Sequence, residues 1–267
     1  GGQLLCEAEA TAWLQNNSIA TTKDEQKYAV GRPTLDTTVA AILSPSGFVK
    51  STSEAEGPYG LVLDATTFYA ESGGQVSDFG VVSTPKGALN VADVKVAAGY
   101  VLHTGDISGV VNVGDVAQCA VDYDRRENIM PNHTMTHVLN FALRKCVADG
   151  IDQKGSLVDD EKLRFDFSHN KGLTTKQIAD VERVVNAQIQ ANLGVDKREV
   201  ALDKAMSING LRAVFGEVYP DPVRVVSVGP SIDDVLANPS DEKWKEYSIE
   251  FCGGTHLVST DAAEQFV

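Results

Sequence analysis

Leu89-Asn90-Val91-Ala92-Asp93-Val94-Lys95-Val96, and then Tyr100-Val101-Leu102, decide the first half of the fold. Short β-branched and apolar runs closed by turn residues read as strands. Working outward, similar runs stand at Gly60-Leu63 and Val76-Val82, at Thr37-Val39 and Ile42, and at Val110-Val121. Ser44-Pro45-Ser46-Gly47, Glu56-Gly57-Pro58-Tyr59 and Ser72-Gly73-Gly74 punctuate them. So many short strands at this spacing predict a small β-barrel over 28–121. Before it, Glu7 to Asn16 reads as a short helix and Thr21 to Lys27 as polar linker, which sets 1–27 apart.

After Asp122 the pattern turns to α+β, and 122–267 reads as a second domain. Pro131 to Asp149 predicts a helix, with Val138, Phe141, Ala142 and Val147 as its apolar stripe and Gly150 as its stop. Tyr123 to Met130 adds a helical turn in front, and Pro131 is expected to kink or break the join. Leu163 to Phe167 alternates as a strand does. Thr174 with Gln177 makes a capping box for a second helix. Ile178, Val181, Val185, Ile189 and Asn192 share a face of it, and Gly194 closes it. Strands are predicted at Val195-Leu202, Val223-Val228 and Tyr247-Phe251, and the polar run Ser231 to Trp244 reads as a surface insertion.

Composition bounds the function. A chain of 267 residues with 43% hydrophobic content can build real cores. A formal net charge of -14, taken alone, argues against a broad nucleic-acid-binding face, because phosphate neutralisation needs clustered cations. An RNA partner would have to meet a local basic patch. No apolar run is long enough to predict a membrane span, and no signal-like segment opens the chain. Gly1-Gly2-Gln3 lacks an initiator Met, so a fragment of something longer is expected. Cys6, Cys119, Cys146 and Cys252 follow no disulfide spacing, and a reducing cytoplasm is the expected setting.

The chemistry concentrates in His133, His137, Cys252 and His256. His133 and His137 stand four apart on the predicted helix, which puts both on one face, one turn apart. Cys252 and His256 are also four apart, across Gly253-Gly254-Thr255, where two glycines let the chain fold tightly. Three imidazoles and one thiolate suit Zn2+ in tetrahedral geometry. A metallopeptidase is disfavoured: the HExxH motif needs Glu after its first His, and Thr134 stands there. His103 at a strand end and His169 in a loop read as structural.

Four of these segments, in order, carry a resemblance. They are Asn132-His133-Thr134-Met135-Thr136-His137, Gln153-Lys154-Gly155-Ser156-Leu157, Leu163-Arg164-Phe165-Asp166-Phe167-Ser168 and Phe251-Cys252-Gly253-Gly254-Thr255-His256. With Asp64-Ala65-Thr66-Thr67-Phe68-Tyr69-Ala70-Glu71-Ser72-Gly73-Gly74-Gln75 upstream, the chain resembles alanyl-tRNA synthetase editing domains from about Asp24 to its end. The stretch Ala213 to Glu250 is similar to the eukaryotic cytosolic form. The resemblance implies a translation-factor-like barrel, then the α+β zinc domain shared with threonyl-tRNA synthetases. It implies a deacylase that hydrolyses the ester of mischarged Ser-tRNA(Ala) and Gly-tRNA(Ala).

The same resemblance implies site residues. His133, His137, Cys252 and His256 would hold Zn2+. Thr66 would meet the serine hydroxyl, and Gln153 would hold water or substrate. Gly73, Gly74 and Gln75 would form a loop near the substrate, although they also read as a plain turn. Arg164 would lie on a strand face with Asp166, supporting the site or pairing with that carboxylate. The partners implied are the tRNA(Ala) acceptor end and the other domains of a parent synthetase. Arg125-Arg126, Arg144-Lys145, Lys154 and Arg164 are the candidate tRNA contacts. The rival reading is a non-catalytic module in which zinc staples the fold and the domain only binds the acceptor end.

Overall fold

The computed structural model describes residue 4, residues 6–214 and residues 216–267. Its contacts divide the chain into two units. The first comprises 1–72 and 76–126, and the second comprises 73–75 and 127–267.

The first unit is organised by its longest ladder. Strands β5 (Gly87–Ala97) and β6 (Tyr100–Gly109) pair from Gly87↔Gly109 to Ala97↔Tyr100. Ala98 and Gly99 join them with φ of 49° and 82°, the doubly left-handed turn that matches strand twist. Around this hairpin stand β1 (Leu35–Ser44), β3 (Tyr59–Leu63), β4 (Gly80–Ser83) and β7 (Val116–Val121). The hydrogen-bonded order is β1-β3-β6-β5-β4-β7, and β7 pairs back onto β1 through Leu35↔Cys119. The six strands therefore close a barrel, which removes free edges. β2 (Gly47–Val49) folds back on β1 as a hairpin.

Alternation along the strands builds two cores. Leu61, Leu63, Val101 and Ile42 belong to the main barrel cluster. Val62, Leu102, Ala41 and Leu43 point the other way and pack on Leu14 of α1 (Ala8–Asn16), which is wholly buried. Two expected strands shrink. Val76 to Phe79 lies outside β4, and Val110–Val121 gives only β7, because Val110 to Asp115 turns the corner.

The division between the units falls inside α2 (Tyr123–Cys146). This helix is continuous through Pro131, so the expected break does not occur. Proline removes one N–H, a local loss. Ile129, Met135, Val138, Ala142 and Leu143 are buried along the same helix, and tertiary burial outweighs that loss.

In the second unit β8 (Gln153–Val158) and β9 (Leu163–Phe167) form a two-stranded ribbon. α3 (Thr175–Gln190) starts at the Thr174–Gln177 capping box and buries Val181, Val185 and Ile189, while Ile178 stays half exposed. A three-stranded antiparallel sheet follows in the order β10 (Val195–Val200), β11 (Val223–Val228), β12 (Ser248–Phe251). Val226 and Val228 join the cluster of α2 and α3, whereas Val223 and Val225 join another cluster on the opposite face.

That opposite face corrects the reading of Ser231 to Trp244 as a surface insertion. Ile232 and Val235 of α4 (Ile232–Ala237), together with Trp244, are buried against Val223, Val225 and Ile249. The sheet needs cover on both sides, as the near-continuous apolar run of β11 requires, and this segment supplies half of it.

Candidate metal centre

Helical spacing places His133 and His137 of α2 on one face, with ring centroids 5.4 Å apart. β12 delivers Cys252 directly after its last residue, and the chain turns to bring back His256. The His256 ring lies 4.6 Å from that of His133 and 5.0 Å from that of His137. One ligand atom from each of the four residues lies within 4.8 Å of every other. Cys252 Sγ sits 3.3 Å from Nε2 of both His133 and His256. Tetrahedral zinc with ligand bonds of about 2.0–2.3 Å sets its donors about 3.3–3.7 Å apart.

The imidazoles are aimed by what holds their outer nitrogens. His133 Nδ1 donates to Gln75 Oε1 at 2.6 Å, and His137 Nδ1 to Glu250 Oε2 at 2.5 Å. His256 Nδ1 lies 3.2 Å from Thr134 Oγ1, whose hydroxyl also accepts from the Leu257 N–H. With Nδ1 engaged on every ring, three Nε2 lone pairs turn inward. His137 Nε2 is buried and has no hydrogen-bond partner among the described residues. An orphaned buried acceptor facing a sulfur and two more imidazoles fits a cation as its partner. The four residues therefore fit a metal ion, and a donor set of three nitrogens and one sulfur suits zinc or a similar borderline-soft ion.

The turn from Cys252 to His256 is clamped from several sides. Arg224 Nη1 donates to the carbonyls of Cys252 and Gly254 at 3.2 and 2.8 Å. Lys197 Nζ donates to the Leu257 carbonyl at 2.8 Å. Gln75 accepts from the Thr255 N–H at 3.0 Å and donates to Thr255 Oγ1 at 2.9 Å. A Cβ on Gly254 would meet His133 Cε1 at 2.1 Å, so glycine is required there by close approach.

Electrostatics follow the geometry. Burial works against ionising the Cys252 thiol, but the imidazoles of His133, His137 and His256 outweigh it and hold the thiol well below its usual range. Burial likewise opposes charge on His137, but Glu250 and Cys252 prevail and raise it well above the ordinary value. Burial drives His256 down to about 3. The pocket thus favours a thiolate and a positive charge beside it, the pattern a cation completes.

The other expected residues fall in several places. Gln75 belongs to the metal centre through His133 and Thr255, as given above. Gly73 and Gly74 form a turn with φ of 59° and 83°, and the Gly74 carbonyl accepts from Val158 N–H at 2.7 Å. A Cβ on Gly74 would lie 2.2 Å from Ser156 Oγ. Gln153, at the start of β8, donates to the same Ser156 hydroxyl at 3.3 Å. Arg164 is exposed and pairs with Asp166 at 3.1 Å. Lys145 pairs with Glu246 at 2.8 Å.

Thr66 lies in the first unit and is fully buried. His103 Nδ1 faces the Leu61 carbonyl at 3.0 Å and must donate to it, so Nε2 is an acceptor. The Thr66 hydroxyl therefore donates to His103 Nε2 at 2.7 Å and accepts from the Phe68 N–H at 3.1 Å. Arg126 needs correction as a tRNA contact. It is buried, ion-paired with Asp78, and bonded to the carbonyls of Lys27 and Thr67. A buried carboxylate needs a charged partner, and Arg126 is that partner. Arg125 stacks 3.7 Å over the Phe79 ring and donates to the Ser77 carbonyl.

Glu250, Thr134, Asn140, Arg224 and Lys197 escaped the sequence reading. Only Glu250 left a trace: alternation along a strand puts it on the same side as Cys252.

Residues 6–125 match the family model of class II tRNA synthetases (A). The chain is 52% identical to the alanine–tRNA ligase of Candida albicans, over 95% of its own length and 26% of that protein's. It is 47% identical to the cytoplasmic alanine–tRNA ligase of Dictyostelium discoideum, over 99% of the chain and 28% of the relative. It is also 47% identical to the mitochondrial alanine–tRNA ligase of Saccharomyces cerevisiae, over 95% and 26%. The chain thus spans about a quarter of the length of these curated relatives. Their names include both compartments. Among the described residues, no helix is long and apolar enough to cross a membrane.

Proposed function

The chain belongs to the alanine–tRNA ligase family of class II tRNA synthetases, and from that premise we propose that it is the hydrolytic proofreading part of such an enzyme, a zinc-dependent deacylase that releases serine or glycine wrongly joined to alanine tRNA. The longer parent would attach alanine to tRNA(Ala) through domains outside this segment. The carrying observation is the convergence of three inward-turned Nε2 atoms and the Cys252 sulfur. A cytoplasmic setting fits the free thiols of Cys6, Cys119 and Cys146.

The chemistry answers a selectivity problem. A pocket for alanine excludes glycine poorly, since one methylene is worth only about 1–3 kcal/mol. Serine adds only a hydroxyl. A second site that hydrolyses the wrong product relieves both. His133, His137, Cys252 and His256 would hold zinc, which would supply Lewis-acid chemistry for the ester between amino acid and terminal ribose.

The chain's own residues do the rest. The three imidazoles are buried, while Cys252 remains partly exposed. Gln153 offers an amide that can orient water or the ester. Thr66 reads the serine side chain. Its proton is already given to His103, so its hydroxyl acts on serine as an acceptor. Alanine offers no donor to that acceptor, and the Thr66 hydroxyl then keeps only its bonds to His103 and Phe68. Thr66 does not explain glycine. Gly73 and Gly74 carry the turn that delivers Gln75, and Lys154 and Arg164 are the cations offered to the acceptor end.

One observation favours a second reading. Four protein ligands close a tetrahedral shell, and closed zinc sites are commonly structural. The chain would then bind the acceptor end without hydrolysing it. Deacylation of seryl-, glycyl- and alanyl-tRNA, with and without chelator, separates the two. Serine release faster than alanine release, lost in Cys252→Ala or His137→Ala, is the expected result. Binding without hydrolysis decides for the second reading. A folded Cys252→Ala protein that hydrolyses at the parental rate overturns the metal assignment.

A further inference from the structure

Three side chains grip the outer nitrogens of the metal-facing imidazoles, and they are not equivalent. Gln75 and Thr134 are neutral, whereas Glu250 is a carboxylate. Glu250 is only 4% exposed. One of its oxygens takes the His137 Nδ1–H and the other takes the Asn140 amide at 2.6 Å. Its backbone is held on both sides. Glu250 pairs with Val226 of β11, and on the other edge of β12 Arg212 donates to the Ile249 carbonyl and accepts from the Phe251 N–H.

We propose that Glu250 is a positioning residue for the metal centre, fixing the His137 ring through Nδ1 and supplying the anion that neutralises the ion and its ligands. This rests on the zinc reading of the centre given above. A dication with one thiolate and three neutral imidazoles keeps one positive charge in a mostly buried pocket. Uncompensated buried charge is costly, and Glu250 balances it one imidazole away. A carboxylate behind a ligating imidazole also makes Nε2 a better donor, and loss of such a partner weakens metal binding by about 10–100-fold. Among the three imidazoles, only His137 has this support.

A purely structural reading gives Glu250 no task beyond tying β12 to α2. Glu250→Gln separates the readings because it removes charge while keeping shape. Asn140 Oδ1 has no hydrogen-bond partner among the described residues, so the Asn140 amide can turn over and accept from the new side-chain amide. The new carbonyl can still accept from His137. Hydrogen bonds and packing are then retained and only the negative charge is lost.

The measurement is zinc affinity of the whole 267-residue chain, by competition with a chelating dye, with Co2+ absorption bands as a second report on the ligand shell. Glu250→Gln should bind zinc about 10–100-fold more weakly than the parent. The melting temperature of the chelator-treated proteins should be the same. Asn140→Ala, which leaves the Glu250–His137 contact in place, should stay within about threefold of the parent. Parental affinity in Glu250→Gln overturns the assignment, and so does an Asn140→Ala loss as large as that of Glu250→Gln. If Glu250→Gln does not fold, Glu250→Asp carries the test, since its shorter stem withdraws from His137. A loss of about five- to tenfold with unchanged apo melting supports the proposal, and parental affinity overturns it. A parent that takes up no zinc defeats the metal reading and this inference together. A parent that binds zinc but hydrolyses nothing defeats only the deacylase reading.

Discussion

At Gly254 a single methyl group would sit 2.1 Å from His133 Cε1 and 2.3 Å from its Nδ1. The ring cannot yield without leaving Gln75, so Gly254→Ala should weaken zinc binding by at least about tenfold, as loss of a supporting contact does. Chelator competition reads this directly, and parental affinity would show that the ring has room to move. Gln75 tests the hold on the same ring through its Nδ1. Gln75→Ala strands His133 Nδ1 and the Thr255 N–H, and each unmade buried bond costs about 1–3 kcal/mol. Stability of the second unit should fall by about 2–6 kcal/mol for the two together, measured by denaturant titration. The four proposed ligands were legible in the sequence because two spacings of four residues announce themselves locally. Their supports were not. Gln75 reaches His133 across 58 positions, Glu250 reaches His137 across 113 and Thr134 reaches His256 across 122. No local pattern connects such pairs. His103 carries a pH prediction of its own. Burial lowers its pKa from 6.5 to about 4, so between those values the unfolded chain binds the proton and the native barrel does not. Stability should therefore fall as pH drops through that window, by up to about 3 kcal/mol, and no further below it. The stability gap between the parent and His103→Gln should narrow over the same range, and a gap constant with pH would assign the acid loss elsewhere.

Elements were legible where local chemistry fixes them and obscure where tertiary packing overrides it. The start of α3 is the first kind. Thr174 Oγ1 accepts from the Gln177 N–H, and the Gln177 side chain returns to the Thr174 N–H at 2.9 Å. Thr174→Ala should cost about 1 kcal/mol of stability, the usual value of an N-cap, seen as a shift in the urea midpoint at constant slope. No shift would mean that packing of Val181, Val185 and Ile189 alone sets the helix. Pro131 is the second kind: the expected break is absent because the burial that keeps α2 continuous comes from residues far along the chain. The segment from Ser231 to Trp244 misleads in the same way. Its polar letters describe its outer side, while Ile232, Val235 and Trp244 face a sheet whose partner strands lie elsewhere in sequence.

For the whole molecule, the decisive feature is that the proposed ligands and two of their three supporting groups all come from the second unit's main body, while Gln75 arrives on a three-residue excursion from the barrel's chain. The barrel closes on its own core and contributes no ligand. Binding energy at a metal site is folding energy for whatever the ligands join. Here they join α2 to the end of β12, two elements otherwise tied by the bonds of Glu250 to His137 and Asn140 and of Ser248 to the His137 carbonyl. Chelation should therefore loosen the second unit and spare the first. Hydrogen exchange should show it: on adding chelator, amides in the middle of α2 and in β10, β11 and β12 should exchange at least about tenfold faster, a change of about 1.4 kcal/mol in opening energy, while those of β1, β3, β5 and β6 keep their rates. Equal acceleration in both sets would mean that the two units unfold as one, and unchanged rates in both would mean that the four side chains hold no ion in solution.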